Sequence, residues 1–69
     1  MYRGQFLNGR KNGSGVMKLS NGSIYDGQWN EGTKTGRGVF YDAAANTLYE
    51  GEWRNNKKDG QGLLKLSET

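Results

Sequence analysis

Glycine recurs through this chain at a spacing that very few folds can use. Of the 12 glycines, 11 fall into columns when the chain is aligned on Tyr2, Tyr25 and Tyr49, which lie 23 and 24 residues apart. Glycine stands two, eleven and thirteen residues after every one of these tyrosines. Self-similarity at a fixed period marks a repeat protein. The sequence therefore predicts three copies of one small structural unit.

The residues between the glycines identify the unit as a β-hairpin. Each unit begins with tyrosine, glycine and an aromatic residue at alternate positions, as in the Tyr-x-Gly-x-Trp run of residues 25–29. A second alternating run, Gly-x-Gly followed by apolar residues, comes later in each unit. Alternation with period two and aromatic residues predicts strands. Between the two runs stands Gly9, Gly32 or Asn56, at a position where a turn with positive φ is expected.

Short turns between the hairpins predict an all-β fold, a meander of about six antiparallel strands. Residues 20–23 carry an Asn-Gly turn signal. The junction at 42–47 is longer and lacks glycine, so a wider loop or bulge is expected there, with Asn46 in a left-handed conformation. We assign one domain over residues 1–69. Its repeats are 2–24, 25–48 and 49–66, followed by the short tail 67–69.

The glycine columns are interpreted as structural. A glycine leaves space above the backbone, and an aromatic ring from the adjacent strand can lie across that space. No helical pattern follows any Gly-x-Gly, and Gly-Lys-Ser/Thr is absent, so a nucleotide-binding loop is not supported. The glycines given this structural role are Gly4, Gly13, Gly15, Gly27, Gly36, Gly38, Gly51, Gly60 and Gly62.

Composition argues against an enzyme. The chain has no Cys and no His, and thus lacks the commonest general base and the commonest metal ligand. Glu50 and Glu52 share one face of a predicted strand, but it is the face opposite the aromatic residues, where solvent exposure is the simpler interpretation. We expect no catalytic residue, cofactor or metal. Only 32% of the residues are hydrophobic, yet 12% are aromatic and the net charge is only +3, which argues against simple disorder.

Basic residues form a second pattern, at the predicted hairpin tips. These basic residues stand eight or nine residues after the tyrosines, and together they would give the sheet one basic edge. Such an edge could contact anionic lipid or an acidic protein partner, or it could simply keep the turns soluble. These residues are Arg10, Lys11, Lys34, Lys57 and Lys58.

The aromatic stripe is the candidate partner-binding surface. A single sheet has no second layer, so its apolar face must be covered by a partner or by its own side chains. A peptide or helix in an aromatic groove and pure self-packing are both open, whereas nucleic acid is not expected. The end strands, 2–6 and 62–66, are expected to pair with another chain, including a copy of this one. The aromatic residues are Tyr2, Phe6, Tyr25, Trp29, Tyr49 and Trp53.

These columns resemble the MORN (membrane occupation and recognition nexus) repeat. The motif Tyr-x-Gly-x-Trp, a turn, then Gly-x-Gly and an apolar residue is met by residues 25–29 with 36–39, and by 49–53 with 60–63. The first unit has Phe6 in place of tryptophan.

The resemblance covers residues 2–66 and implies a single elongated, twisted sheet without catalytic activity. It implies a protein–protein interaction scaffold, in a cytoskeletal, ciliary or other intracellular assembly. The alternative that it implies is a peripheral membrane module that binds acidic phospholipids. Because residues 1–4 contain no apolar signal core, we expect an intracellular, cytoplasmic protein associated with cytoskeleton or membrane.

Overall fold

A computed structural model describes residues 1–66 of the chain, and the short tail 67–69 lies outside the described residues. The strands run in the order β1-β2-β3-β4-β5-β6 in one 6-stranded sheet, and every neighbouring pair is antiparallel. The predicted all-β meander is therefore confirmed. The strands are β1 (Tyr2–Leu7), β2 (Arg10–Lys18), β3 (Ile24–Asn30), β4 (Thr33–Asp42), β5 (Thr47–Arg54) and β6 (Lys57–Leu66).

One row of glycines crosses all the strands. Its members face one another directly in the register of the sheet. A Cβ atom on Gly27 would lie 2.5 Å from the Cα atom of Gly38, so these two strands need glycine at the point where they meet. The row consists of Gly4, Gly15, Gly27, Gly38, Gly51 and Gly62.

Each hairpin turns through two residues, both with positive φ. In the second hairpin these are Glu31 and Gly32, with φ of 49° and 87°. Two such residues form the turn that matches the twist of antiparallel strands. The expectation of positive φ at Asn56 is confirmed by its φ of 67°. The second strands begin directly after these turns, at Arg10, Thr33 and Lys57, so the basic residues predicted at the hairpin tips lie within strands.

The junction between the second and third hairpins is the wider loop that was expected, and Asn46 has a φ of 54°. Ser23, which is 1% exposed, holds this loop because its hydroxyl accepts a hydrogen bond from the Ala43 N–H at 2.9 Å. The bulges lie elsewhere. They lie within each hairpin, where the second strand has two more residues than the first between the paired glycines and the following aromatic residue.

The sheet is one layer thick. The described residues extend 37 × 27 × 13 Å, and their buried hydrophobic side chains all lie on one face of the sheet. These side chains are Tyr25, Trp29, Tyr49 and Trp53.

Candidate functional site

The face of the sheet that carries the buried aromatic side chains is called the aromatic face. On it, tyrosine rings lie over glycines of the adjacent strand, as predicted from the glycine columns. The ring of Tyr25 covers Gly38, where a Cβ atom would lie 2.5 Å from Cζ of the ring. The Tyr25 hydroxyl then donates a hydrogen bond to the carbonyl of Gln28 at 3.0 Å. Tyr2 and Tyr49 stand over the equivalent glycines of their own hairpins and donate to Gln5 and Glu52 at 2.8 and 3.1 Å.

Tryptophans join each hairpin to the one before it. The indole Nε1–H of Trp29 donates to the Gly15 carbonyl at 3.1 Å, and that of Trp53 donates to the Gly38 carbonyl at 3.2 Å. The ring of Trp53 also meets Tyr25 edge-on, with centroids 5.2 Å apart. Edge-to-face pairs of this kind are favourable. The loss of glycine from the 42–47 junction does not disturb this packing, since both tryptophans donate the equivalent hydrogen bond and meet the tyrosine of the preceding hairpin edge-on.

Three lysines cover the aromatic rings from the solvent side. The ammonium of Lys34 lies 5.5, 5.9 and 5.7 Å from the ring centroids of Tyr25, Trp29 and Trp53. Lys11 lies 5.6 and 5.5 Å from the centroids of Tyr2 and Trp29, and Lys58 lies 5.1 Å from that of Tyr49. These distances are typical of cation–π contacts.

The lysine positions differ from the expectation of a free basic edge. Because each turn has only two residues, Lys11, Lys34 and Lys58 fall inside the second strands and project onto the aromatic face. Arg10 lies beside the turn, where its guanidinium is 3.8 Å from the Glu31 carboxylate. Sequence reasoning placed these lysines at turns, although their shared position nine residues after each tyrosine was the signal for a common role.

Burial shifts the pKa of two groups in this cluster. It lowers the pKa of the Lys34 ammonium, and the positive charge of Lys11 lowers it further. Burial raises the pKa of the Tyr25 hydroxyl, and the negative charge of Asp26 adds to that effect. Both shifts have the sign expected when water is removed from the charged form.

A second glycine column has a different purpose from the first. Gly13, Gly36 and Gly60 have φ of 83°, 66° and 68°, a conformation that other residues rarely adopt. The side chain that covers each of them is an amide or a carboxylate rather than a ring. Over Gly36, for example, the Gln28 amide oxygen accepts a hydrogen bond from the Arg37 N–H at 3.1 Å. Sequence reasoning missed this covering side chain, which stands three residues after each tyrosine.

The predicted aromatic residues divide into buried and accessible members. Tyr25 is 0% exposed and Trp29 5%, so self-packing and the lysines already cover the middle of the stripe. Phe6, by contrast, is 60% exposed. A partner can therefore contact Phe6 and the half-buried Tyr2 directly, and the lysines above the remaining rings.

The two edge strands are the most exposed part of the sheet. Every described residue of β6 is exposed, and so is all of β1 except the half-buried Tyr2. The apolar side chains left open to solvent on these strands are Phe6, Leu7, Leu63, Leu64 and Leu66.

The opposite face carries charges of both signs. Glu50 is exposed there as expected, and Glu52 is half-buried, with its carboxylate 3.9 Å from Arg37. Tyr41, which belongs to no repeat column, lies on this face between Ile24 and Leu48. Residues 1–66 hold no group of three or more acidic, His or Cys side chains placed to bind a metal ion. Nor does this part of the chain contain a helix that could cross a membrane.

The same geometry recurs in each hairpin: a tyrosine ring over a glycine, an aromatic residue four positions later, and a lysine over the tyrosine ring. The family model for the MORN repeat matches the chain in three segments, residues 2–24, 25–44 and 49–67. None of the curated proteins matches it. The matched segments include most of the chain and coincide with the three hairpins. The chain therefore belongs to the MORN repeat family.

Proposed function

We propose that this protein is a non-catalytic scaffold that binds a protein partner through its edge strands and the adjoining part of its aromatic face. MORN repeats occur in protein-binding and membrane-binding modules. The observation that carries the proposal is the pair of open edges, where Phe6 is 60% and Leu64 58% exposed. Unpaired backbone groups beside exposed apolar side chains are what an added strand recognises.

The proposal places the protein in a larger intracellular assembly, such as one of the cytoskeleton or cilium. It also assigns the buried aromatic residues to the structural core rather than to direct contact. Substitution of Trp29 or Trp53 would abolish binding by unfolding the sheet. A test of the surface must therefore use residues that the fold does not need.

Photo-crosslinking tests the proposal at the edges. A benzophenone amino acid replaces Phe6 in one variant and Leu64 in another, and each variant is irradiated in living cells. Val16 and Leu19, which are 37% and 41% exposed and lie outside the two edge strands, provide matched control positions. We expect adducts to other proteins from the edge positions only. The same adducts from the control positions, or no adducts from the edges, would contradict the proposal.

A membrane-binding function is the second candidate, favoured by the lysines Lys11, Lys34 and Lys58. They project from the same sheet face, one in each hairpin. A lysine close to an anionic bilayer contributes about 1 kcal/mol, so the three together would contribute about 3 kcal/mol. The lipid-binding face is then the one that carries these three lysines, because the register places Arg10 and Lys57 on the opposite face.

Sedimentation with phosphatidylserine vesicles tests this candidate. Replacing the three lysines with glutamine should reduce binding by about two orders of magnitude, and added salt should reduce it further. The control variant carries glutamine at Arg3, Lys18 and Lys65, which removes the same charge from the opposite face. Equal losses in the two variants would rule out a membrane-facing lysine surface.

A further inference from the structure

We infer that β6 of one copy pairs antiparallel with β1 of a second copy, in the register that joins one hairpin to the next within the chain. This inference rests on the proposed function, because it names a partner for the same edge strands. The partner is the protein itself, and the arrangement is head to tail.

The internal joints between hairpins provide the template. Where β2 meets β3, Met17 lies opposite Tyr25 and Gly15 opposite Gly27. The same offset recurs where β4 meets β5. Two independent joints in this chain thus use one register, with glycine facing glycine and an apolar side chain facing tyrosine.

The edge strands carry the same residues at the matching positions. On β6, Gly62 and Leu64 stand thirteen and fifteen residues after Tyr49, as Gly15 and Met17 follow Tyr2. On β1, Tyr2 and Gly4 are the repeat equivalents of the residues that β3 and β5 present to the preceding hairpin. The internal register therefore places Leu64 opposite Tyr2, and Gly62 opposite Gly4, of the second copy.

The direction of the backbone groups fits this pairing. Lys18 exchanges hydrogen bonds with Met1 across β1 and β2, at 2.7 Å in each direction. Because antiparallel strands alternate the side to which each residue bonds, Met17 bonds toward β3. Leu64 is the repeat equivalent of Met17. Its N–H and carbonyl therefore point away from β5, toward the open edge.

At the β6 edge, the lysine lacks a ring from a following hairpin, and a second copy would supply one. Lys11 contacts the tyrosine of its own hairpin and the tryptophan of the next, Trp29. Among the rings of residues 1–66, Lys58 contacts that of Tyr49 alone, at 5.1 Å. Phe6 of the second copy occupies the position of that missing next-hairpin ring. The joint would bury Phe6 and Leu64, which are 60% and 58% exposed.

A head-to-tail joint makes a prediction that symmetric pairing does not. Each copy has one β6 edge and one β1 edge, so the wild-type protein can add copies without closing. A variant blocked at one edge cannot associate with itself. Two variants blocked at opposite edges still share one intact joint, and their mixture should stop at a one-to-one dimer.

Sedimentation velocity on the full chain tests this. Leu64→Pro blocks β6, since proline lacks the outward N–H and is tolerated on an edge strand. Phe6→Lys blocks β1, because it removes the ring and places a charge beside Lys58 of the other copy. We expect the wild-type mass to rise with concentration, each variant to remain monomeric, and the mixture to sediment at twice the monomer mass.

Circular dichroism and the fluorescence of Trp29 and Trp53 check that each variant is folded. Leu64→Lys replaces Leu64→Pro if the proline variant is unfolded. A wild-type protein that stays monomeric up to its solubility limit overturns the inference, and so does a mixture that stays monomeric. Self-association of the Phe6→Lys variant also overturns it, because that result indicates pairing of β6 with β6. Crosslinked adducts heavier than two 7.7 kDa chains would still support the proposed function in each case.

Discussion

Individual glycines determine where rings can lie in this sheet. The Tyr25 ring fits against the backbone of the neighbouring strand because Gly38 has no Cβ atom. That placement buries the ring completely and lets its hydroxyl reach the Gln28 carbonyl. A one-layer sheet thereby gains a buried core at the cost of restricting the sequence at a few positions.

Substitution of Gly38 tests the contact between ring and backbone. In Gly38→Ala the new methyl group would lie 2.5 Å from Cζ of Tyr25, so the ring must move. Overpacking of this kind costs about 1–3 kcal/mol. We expect that loss in urea unfolding, together with a changed near-UV dichroism signal. Ser14→Ala, on an exposed strand position, is the control and should change stability by less than about 0.5 kcal/mol. Similar losses in both variants would argue against the ring contact.

The buried Tyr25 hydroxyl predicts a dependence of stability on alkaline pH. Its pKa in the folded protein is raised above the ordinary value of 10.0 by burial, and then by the charge of Asp26. The folded state therefore retains the proton longer than the unfolded state. The resulting stabilisation is complete below pH 10.0 and is lost as pH rises through the folded pKa. Urea unfolding across this range should show the loss in the wild type and a smaller loss in Tyr25→Phe.

Lys34 contributes with the opposite sign. Burial, and then the charge of Lys11, lowers its folded pKa below 10.5, so stability rises as pH increases from that lowered value toward 10.5. Lys34→Met removes this contribution. In Lys34→Met the free energy of unfolding should therefore no longer rise with pH before it falls through the ionisation of Tyr25. An unchanged profile in both Tyr25→Phe and Lys34→Met would refute the assignment of these two groups.

At the level of the hairpin, each turn consists of two left-handed residues, and this conformation explains the Asn and Gly in the loops. Asn8 and Gly9 have φ of 52° and 77°. Glu31 adopts the same conformation, with a φ of 49°, although glutamate is poorly suited to it. The second hairpin therefore has the least favourable residue at the first position of its turn.

Glu31→Asn should stabilise the protein. Left-handed conformations cost most residues about 1–2 kcal/mol, and asparagine tolerates them better, so we expect a gain of about 0.5–1 kcal/mol in urea unfolding. The ion pair with Arg10 is lost, but both side chains are largely exposed and the pair contributes little. The reciprocal substitution Asn8→Glu should destabilise by a similar amount. A loss of stability in Glu31→Asn that Arg10→Gln reproduces would show that the ion pair matters more than the turn.

In the whole molecule, a single sheet must form its hydrophobic core from side chains on one of its own faces, because residues 1–66 provide no second layer to cover it. The described residues bury four hydrophobic side chains, and the tryptophans among them link successive hairpins. Small domains bury a small fraction of their surface, so their free energy of unfolding is small. Loss of one linking residue should therefore affect the sheet as a unit.

Trp53→Ala tests this dependence. Truncation of a buried tryptophan costs about 3–5 kcal/mol, a large part of the roughly 5–15 kcal/mol that stabilises native proteins. We expect the variant to be unfolded or to unfold at much lower urea, with loss of the far-UV strand signal. Leu66→Ala, where the side chain is 78% exposed, should leave the unfolding midpoint nearly unchanged. A folded Trp53→Ala sheet of wild-type stability would show that the hairpins do not depend on this core.

The local pattern of the sequence determined the repeat, the strands and the turns. Alternation and glycine position act within a few residues, so the left-handed Asn56 and the wide loop at Asn46 could be predicted. The tertiary structure alone decided which surfaces remain open. Lys34 lies over three rings from two other strands, and those rings come together only when the hairpins pack. A long, flexible side chain has no preferred position in its own segment, because its energy depends on neighbours that are distant in the sequence.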